Sequence, residues 1–157
     1  MDLSIRDFQP GDEGAFLQLN EVWIRRYFAM EPKDEATLKD PQGKILDHGG
    51  RIFMAVLDDG AAVGCCALLE IANEGYEVAK MAVSDDHKGK GIGRKLLQHA
   101  IQAAWASGAK HLYLETNHML TPAITLYQSV GFQHLPQKPS EYTRADVYME
   151  LLRPDSA

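Results

Sequence analysis

Ser84-Asp85-Asp86-His87-Lys88-Gly89-Lys90-Gly91-Ile92-Gly93-Arg94-Lys95 joins an apolar run ending at Val83 to a helical pattern. In that pattern Ile92, Leu96, Leu97, Ala100, Ile101 and Ala104 recur at helical steps until Ser107-Gly108 stops them. Three glycines in five positions permit positive φ angles and let a ligand approach the backbone without Cβ interference. The first N–H groups of a helix have no internal partners and together carry about half a positive charge. The turn is therefore suited to hold a phosphate on the amides of Lys88, Gly89, Lys90, Gly91, Ile92, Gly93 and Arg94. The cations of Lys88, Lys90, Arg94 and Lys95 would reinforce it.

Two better-known phosphate motifs do not fit. A P-loop requires G-x-x-x-x-G-K-[ST], whereas Arg94-Lys95-Leu96 follows Gly93 and offers no hydroxyl for magnesium. A dinucleotide fingerprint requires G-x-G-x-x-G; counted from Gly89 the third position is Arg94, and from Gly91 it is Leu96.

Working outward from the turn, Arg51 to Leu57 and Ala61 to Ala72 are apolar and partly β-branched, with Asp58-Asp59-Gly60 as hairpin chemistry between them. Asn73-Glu74-Gly75 turns into a strand from Tyr76 to Val83, which completes an antiparallel meander. On the far side, His111 to Glu115 returns as a strand, so a strand-helix-strand unit with parallel strands is expected. Leu3 to Asp7 alternates like a short strand, and Asp12 is placed to cap a helix over Glu13 to Met30 whose stripe is Phe16, Leu19, Val22, Trp23 and Tyr27. A shorter helix between Lys33 and Leu46 is interrupted at Pro41. Thr121-Pro122 reads as N-cap and first turn of a helix through Val130, and Phe132 to Leu135 and Ala145 to Leu152 read as the last strands.

A second constellation lies downstream: Glu115-Thr116-Asn117, then Ala123-Ile124-Thr125-Leu126-Tyr127-Gln128-Ser129-Val130-Gly131-Phe132. With Lys88-Gly89-Lys90-Gly91-Ile92-Gly93, it resembles the two signatures of the GNAT superfamily of acyl-CoA-dependent N-acetyltransferases, [QR]-x-x-G-x-[GA] and N-x(n)-A-x-x-x-Y-x-x-x-G-F. Lys88 stands where that family usually has Arg or Gln, keeping a cation and losing the fork. The resemblance implies one α/β domain over residues 1–157, a mixed α+β fold with a twisted, mostly antiparallel central sheet and helices on both faces. It implies acetyl-CoA as cosubstrate, with Asn117 beside the pantetheine arm and Tyr127 near the sulfur. A phenol of pKa about 10 can protonate a departing thiolate whose thiol has a pKa of about 8.5. By the same resemblance the strand ending at Val83 splays from its neighbour. It then leaves backbone groups of Met81, Ala82 and Val83 for pantetheine amides and the thioester oxygen. Glu77, eleven residues before Lys88, stands where some relatives carry a general base. A non-catalytic acyl-CoA-binding domain and a transferase of a larger acyl group are the alternatives.

The acceptor amine is left open. Trp23, Arg25, Arg26 and Tyr27 on the first helix and Arg144 before the last strand are the candidate contacts, and an arginine fork facing the cleft would hold a substrate carboxylate. Residues 1–83 carry a net −7, which instead favours cationic amines, while residues 84–95 carry +2. A local basic cluster on a chain of net charge −6 suits a small polyanion better than a nucleic acid. Cys65 and Cys66 are adjacent in a strand and point to opposite faces, so no disulfide follows, and the six histidines show no metal-ligand spacing. No apolar run approaches the roughly 20 residues that span a bilayer, and Met1 to Pro10 lacks a signal-peptide pattern. The expectation is a cytoplasmic protein that binds no membrane. The family resemblance adds a possible homodimer, with a small-molecule or protein amine as partner.

Overall fold

The computed structural model describes residues 2–154. Its strands are β1 (Leu3–Asp7), β2 (Arg51–Leu57), β3 (Ala62–Ile71), β4 (Gly75–Val83), β5 (His111–Thr116), β6 (Gln133–Leu135) and β7 (Val147–Leu152). They form a single sheet ordered β1-β2-β3-β4-β5-β7-β6, antiparallel throughout except for the pair of β4 with β5. The connection between these two strands is α4 (Ile92–Ala106), the crossover expected from the strand-helix-strand reading.

Apolar side chains cover both faces. On one, α4 lays Ile92, Leu96, Leu97, Ala100 and Ala104 against Phe53, Cys66 and Leu68, and α5 (Thr121–Ser129) adds Tyr127. On the other, Phe16 and Ile24 of α1 (Glu13–Tyr27) and Leu38 of α2 (Pro32–Lys39) pack on Ile52, Met54, Cys65 and Ala67. Cys65 and Cys66 thus occupy opposite cores as free thiols, and burial raises both pKa values, that of Cys65 to about 12.

Three local expectations are corrected. Asp12 does occupy the N-cap position of α1 but makes no side-chain cap; its carboxylate accepts from Arg6 at 2.7 Å and from the Gln9 amide at 2.8 Å, tying β1 to the helix entry. α1 stops at Tyr27 rather than Met30, because Phe28 turns extended after donating its N–H to Ile24 O. The N-cap of α5 is Leu120, with Thr121 and Pro122 inside the first turn, since Asn117 O accepts from Leu120 N and shifts the helix start by one residue. The interruption at Pro41 is observed: α2 is followed by α3 (Pro41–Lys44) and a 3-10 turn over Leu46–His48. Among the described residues, no helix is long and apolar enough to cross a membrane.

Candidate active site

β4 and β5 pair over only three rungs, Gly75 with His111, Tyr76 with Leu112 and Glu77 with Tyr113. Beyond Glu77 the strands part, because β5 continues alongside β7 as far as Thr116 while β4 follows β3. Between the rungs Ala79–Ala67 and Ala82–Cys65, β4 holds an extra residue. Lys80 lies in this bulge at φ 53°, a left-handed angle that costs an L-residue roughly 1–2 kcal/mol. One extra residue reverses the alternation: Tyr76 and Val78 face the α4 core before the bulge, and Met81 and Val83 face it afterwards. The splay anticipated at the end of this strand is present.

At the end of β4 a 3-10 turn, Asp85–His87, is fastened by the Ser84 hydroxyl and His87 Nδ1 at 2.7 Å. Gly89 and Gly91 both adopt φ 79°. Gly93 is an ordinary helical residue, so two of the three glycines, not all three, are conformationally required. The first helical bond of α4 runs from Lys95 N to Gly91 O at 3.1 Å. No acceptor among the described residues takes the amides from Gly89 to Arg94.

These amides open into a cleft of about 520 Å³ that follows the gap between β4 and β5. Lys88, Gly89, Gly91, Ile92, Gly93 and Arg94 line it at one end. Lys90 and Lys95 do not, and the Lys88 ammonium pairs with Asp85 at 3.0 Å, so Arg94 is the basic side chain best placed there. Met81, Ala82 and Val83 line the gap itself.

Tyr127 reaches the cleft from α5, its ring buried edge-on against Phe132 at 6.0 Å. Its hydroxyl has no hydrogen-bond partner among the described residues, and burial pushes its pKa well above that of a free phenol. Asn117 is buried and also lines the cleft, but its carboxamide is engaged within the chain: Nδ2 donates to Arg144 O at 2.8 Å and Oδ1 accepts from Met119 N at 2.8 Å. Glu77 faces the cleft without a hydrogen-bond partner among the described residues. Burial, and then the charge of Glu115, raise its pKa to about 7, against the opposing pull of Lys33 and Lys80.

The sequence profile of the acetyltransferase (GNAT) family matches residues 16–132, which include the glycine turn, the strand fork and Tyr127. The chain belongs to this family. Similar proteins include an IAA acetyltransferase of Azospirillum brasilense, 37% identical over 121 residues that make up 76% of this chain and 78% of that protein. Streptothricin acetyltransferase of Streptomyces lavendulae is 40% identical over 87 residues, 55% of this chain; the aligned stretch spans about half of that relative, 46% of its length. Among solved structures, a GNAT acetyltransferase of Staphylococcus aureus superimposes with a TM-score of 0.85 at 18% identity, covering 95% of this chain and 98% of that one. The PaiA N-acetyltransferase of Thermoplasma acidophilum, solved with coenzyme A, gives 0.76 at 17% identity over 98% of this chain and all of the other.

The other end of the cleft in this GNAT chain is bounded by Trp23, Tyr27, Tyr142 and Arg144. Arg26 is not there: it is exposed and forks onto Asp85 at 3.1 and 2.5 Å, away from the cleft. Arg25 is likewise exposed and pairs with Glu21 one helical turn back. Arg144 does reach the cleft, but its fork is already filled, with Nη1 on Asp34 Oδ2 at 2.6 Å and Nη2 on Asp34 Oδ1 at 2.7 Å. Lys80 Nζ completes this cluster, 2.7 Å from Asp34 Oδ1 and 3.1 Å from the Tyr142 hydroxyl. Asp34, Lys80, Glu115 and Tyr142 were not singled out from sequence. Asp34 and Arg144 lie 110 residues apart, and no local spacing announces their meeting.

Proposed function

We propose that the chain is an N-acetyltransferase that moves an acetyl group from acetyl-CoA to a primary amine by direct attack, with no covalent enzyme intermediate. The observation that carries this reading is the single cleft running from the free amides of Gly89–Arg94, along the parted strands, to Glu77 and Tyr127. A diphosphate fits the turn because its amides lack acceptors and a Cβ at Gly89 or Gly91 is absent where the backbone must be approached. The backbone of Met81, Ala82 and Val83 turned toward the gap is offered to the pantetheine arm, and an N–H there to the oxygen of the tetrahedral intermediate. The family resemblance extends this reading to Asn117 beside the arm.

The chain's own side chains divide the proton work. Glu77, with a pKa of about 7, takes the proton that the substrate ammonium must lose before its nitrogen can attack, directly or through one water. As the C–N bond forms and the C–S bond breaks, Tyr127 supplies the proton to the departing thiolate, and the second proton shed by the acylated nitrogen returns through water to the phenolate, restoring the phenol. Burial raises its pKa, so the phenol stays protonated but is a weaker acid, and it gives up its proton only as charge builds on the departing sulfur.

Calorimetry with coenzyme A, followed by thiol release from acetyl-CoA across a panel of primary amines, tests the proposal. Association together with release driven by at least one amine is expected. Failure of coenzyme A to associate removes the reading altogether. Association without turnover of any amine would make the chain an acyl-CoA-binding domain instead.

A further inference from the structure

Asp34 is a carboxylate held as a bound substrate carboxylate would be. It is 0% exposed, on the first turn of α2 behind the wall of the cleft, and both its oxygens are saturated. Oδ1 accepts from Lys80 and Arg144, each at 2.7 Å; Oδ2 accepts from Arg144 at 2.6 Å and from the Glu31 amide at 2.9 Å. Burial alone would raise its pKa, yet the hydrogen bonds from Arg144 and Lys80 outweigh that and hold it at about 2. Its two cationic partners, with side chains 4% and 12% exposed, belong to the lining of the cleft. Tyr142 stacks on the Arg144 guanidinium at 4.5 Å and accepts from the Lys80 ammonium, so the Nη1/Nη2 fork of Arg144 and the ammonium of Lys80 are both turned inward onto Asp34.

Resting on the acetyl-transfer reading above, we infer that Asp34 is the specificity determinant of the acceptor site. It fills from inside an anion subsite that Arg144 and Lys80 would otherwise present, so the enzyme acts on amines that carry no carboxylate. The remaining charges on that face agree. Glu77 has no hydrogen-bond partner among the described residues. Glu115, two residues beyond the Glu77–Tyr113 rung on the same face of β5, is held among the described residues by the neutral hydroxyls of Tyr113 at 2.9 Å and Ser140 at 2.5 Å. A substrate carboxylate entering there would meet two carboxylates, while Lys80 and Arg144 of the cleft lining are already turned to Asp34, whereas a neutral or additional cationic group would not be opposed.

The test uses pairs of amines that differ by one carboxylate: cadaverine against lysine, and tyramine against tyrosine. The wild-type enzyme is expected to favour the decarboxylated member in kcat/KM by at least about tenfold in any pair it turns over. Asp34→Ala unmasks Arg144 and Lys80, and the preference narrows or inverts. Formate, which matches the deleted carboxylate, raises the Tm of Asp34→Ala above its value in equal chloride and restores the wild-type preference, while leaving wild-type Tm unchanged. Asp34→Asn, which keeps the volume and the cap acceptor for Glu31 N, gives the same narrowing if the alanine variant does not fold. Equal rates on both members of the pairs in the wild type, or no difference between formate and chloride on Asp34→Ala, overturn the inference. Absence of any amine turnover beside intact coenzyme A binding would overturn the transferase reading instead, and the formate effect on Tm still reports whether the subsite is filled from within.

Discussion

Glu77 stands opposite Tyr113 on the last rung that β4 and β5 share, at the vertex of the fork from which the cleft opens. A carboxyl at that vertex has a wall of protein on one side and the gap on the other. Its desolvation is what brings an ordinary glutamate into the range of a base useful near neutrality.

The pH dependence follows from that shift. Glu77 is protonated below about 7 and ionised above it, so kcat/KM should rise through a limb near pH 7 and level off. Glu77→Gln should lower the rate by roughly 100-fold and abolish that limb. Because the folded-state pKa is raised, the protonated form favours folding. Stability attributable to Glu77 is present below the unfolded pKa and lost as pH rises through about 7. The wild type should therefore lose Tm relative to Glu77→Gln between pH 5 and about 8, which thermal melts at both pH values would check. A pH profile unaltered in Glu77→Gln would remove this residue as the base.

Tyr127→Phe deletes one hydroxyl that makes no hydrogen bond to the described residues and leaves the buried ring in place. Stability should change little, and coenzyme A affinity should stay within about twofold, since the phosphates are gripped elsewhere. The chemical step should slow by roughly 100-fold. Single-turnover thiol release separates these outcomes; an unchanged rate would take Tyr127 out of the proton path.

What could be read from sequence was local. The turn from Ser84 to Lys95 announces itself because glycines, cations and the start of a helical period are neighbours in the chain, and the bounds of β1 and β2 follow from the alternation of Leu3 to Asp7 and the apolar run of Arg51 to Leu57. The bulge at Lys80 leaves no such mark, since Val78-Ala79-Lys80-Met81 reads as plain strand and only the register of β3 reveals the extra residue. Arg144 illustrates the other limit. Sequence identifies a fork that could hold a carboxylate, and the fold shows that the carboxylate is the protein's own, delivered from α2. Helix caps show the same limit, because Asp12 holds the N-cap position with its carboxylate engaged by Arg6, and Thr121 is displaced into the helix by a one-residue shift.

The two positive-φ glycines should be separable from the third. Gly91→Ala meets nothing within 4 Å, so any loss is conformational: alanine at φ 79° is strained by roughly 1–2 kcal/mol. The turn should relax away from the shape that presents its amides, weakening coenzyme A binding by about tenfold. Gly93→Ala has no positive φ to defend, and its Cβ would sit 3.6 Å from Leu126 and 3.8 Å from Val83, ordinary contact distances. Its affinity should remain within about twofold of the parent. Calorimetry on both variants checks the order, and equal losses would mean that the positive φ of Gly91 is not what presents the amides.

Lys80 gives a prediction against the usual trend. In a strand interior alanine normally outperforms glycine by about 0.5–1 kcal/mol, because glycine has more freedom to lose. At φ 53° the preference reverses, since glycine occupies the left-handed region freely and alanine does not. Both substitutions remove the ammonium that Asp34 accepts at 2.7 Å, leaving a buried carboxylate balanced by Arg144 alone, and each should lower stability by roughly 3–5 kcal/mol. Within that common loss, Lys80→Gly should be the more stable of the two by about 1 kcal/mol. Denaturant unfolding of the pair reads the difference directly. Alanine proving the better residue would mean that the bulge follows the ion pair and collapses without it, rather than being set by the backbone of β3 and β4.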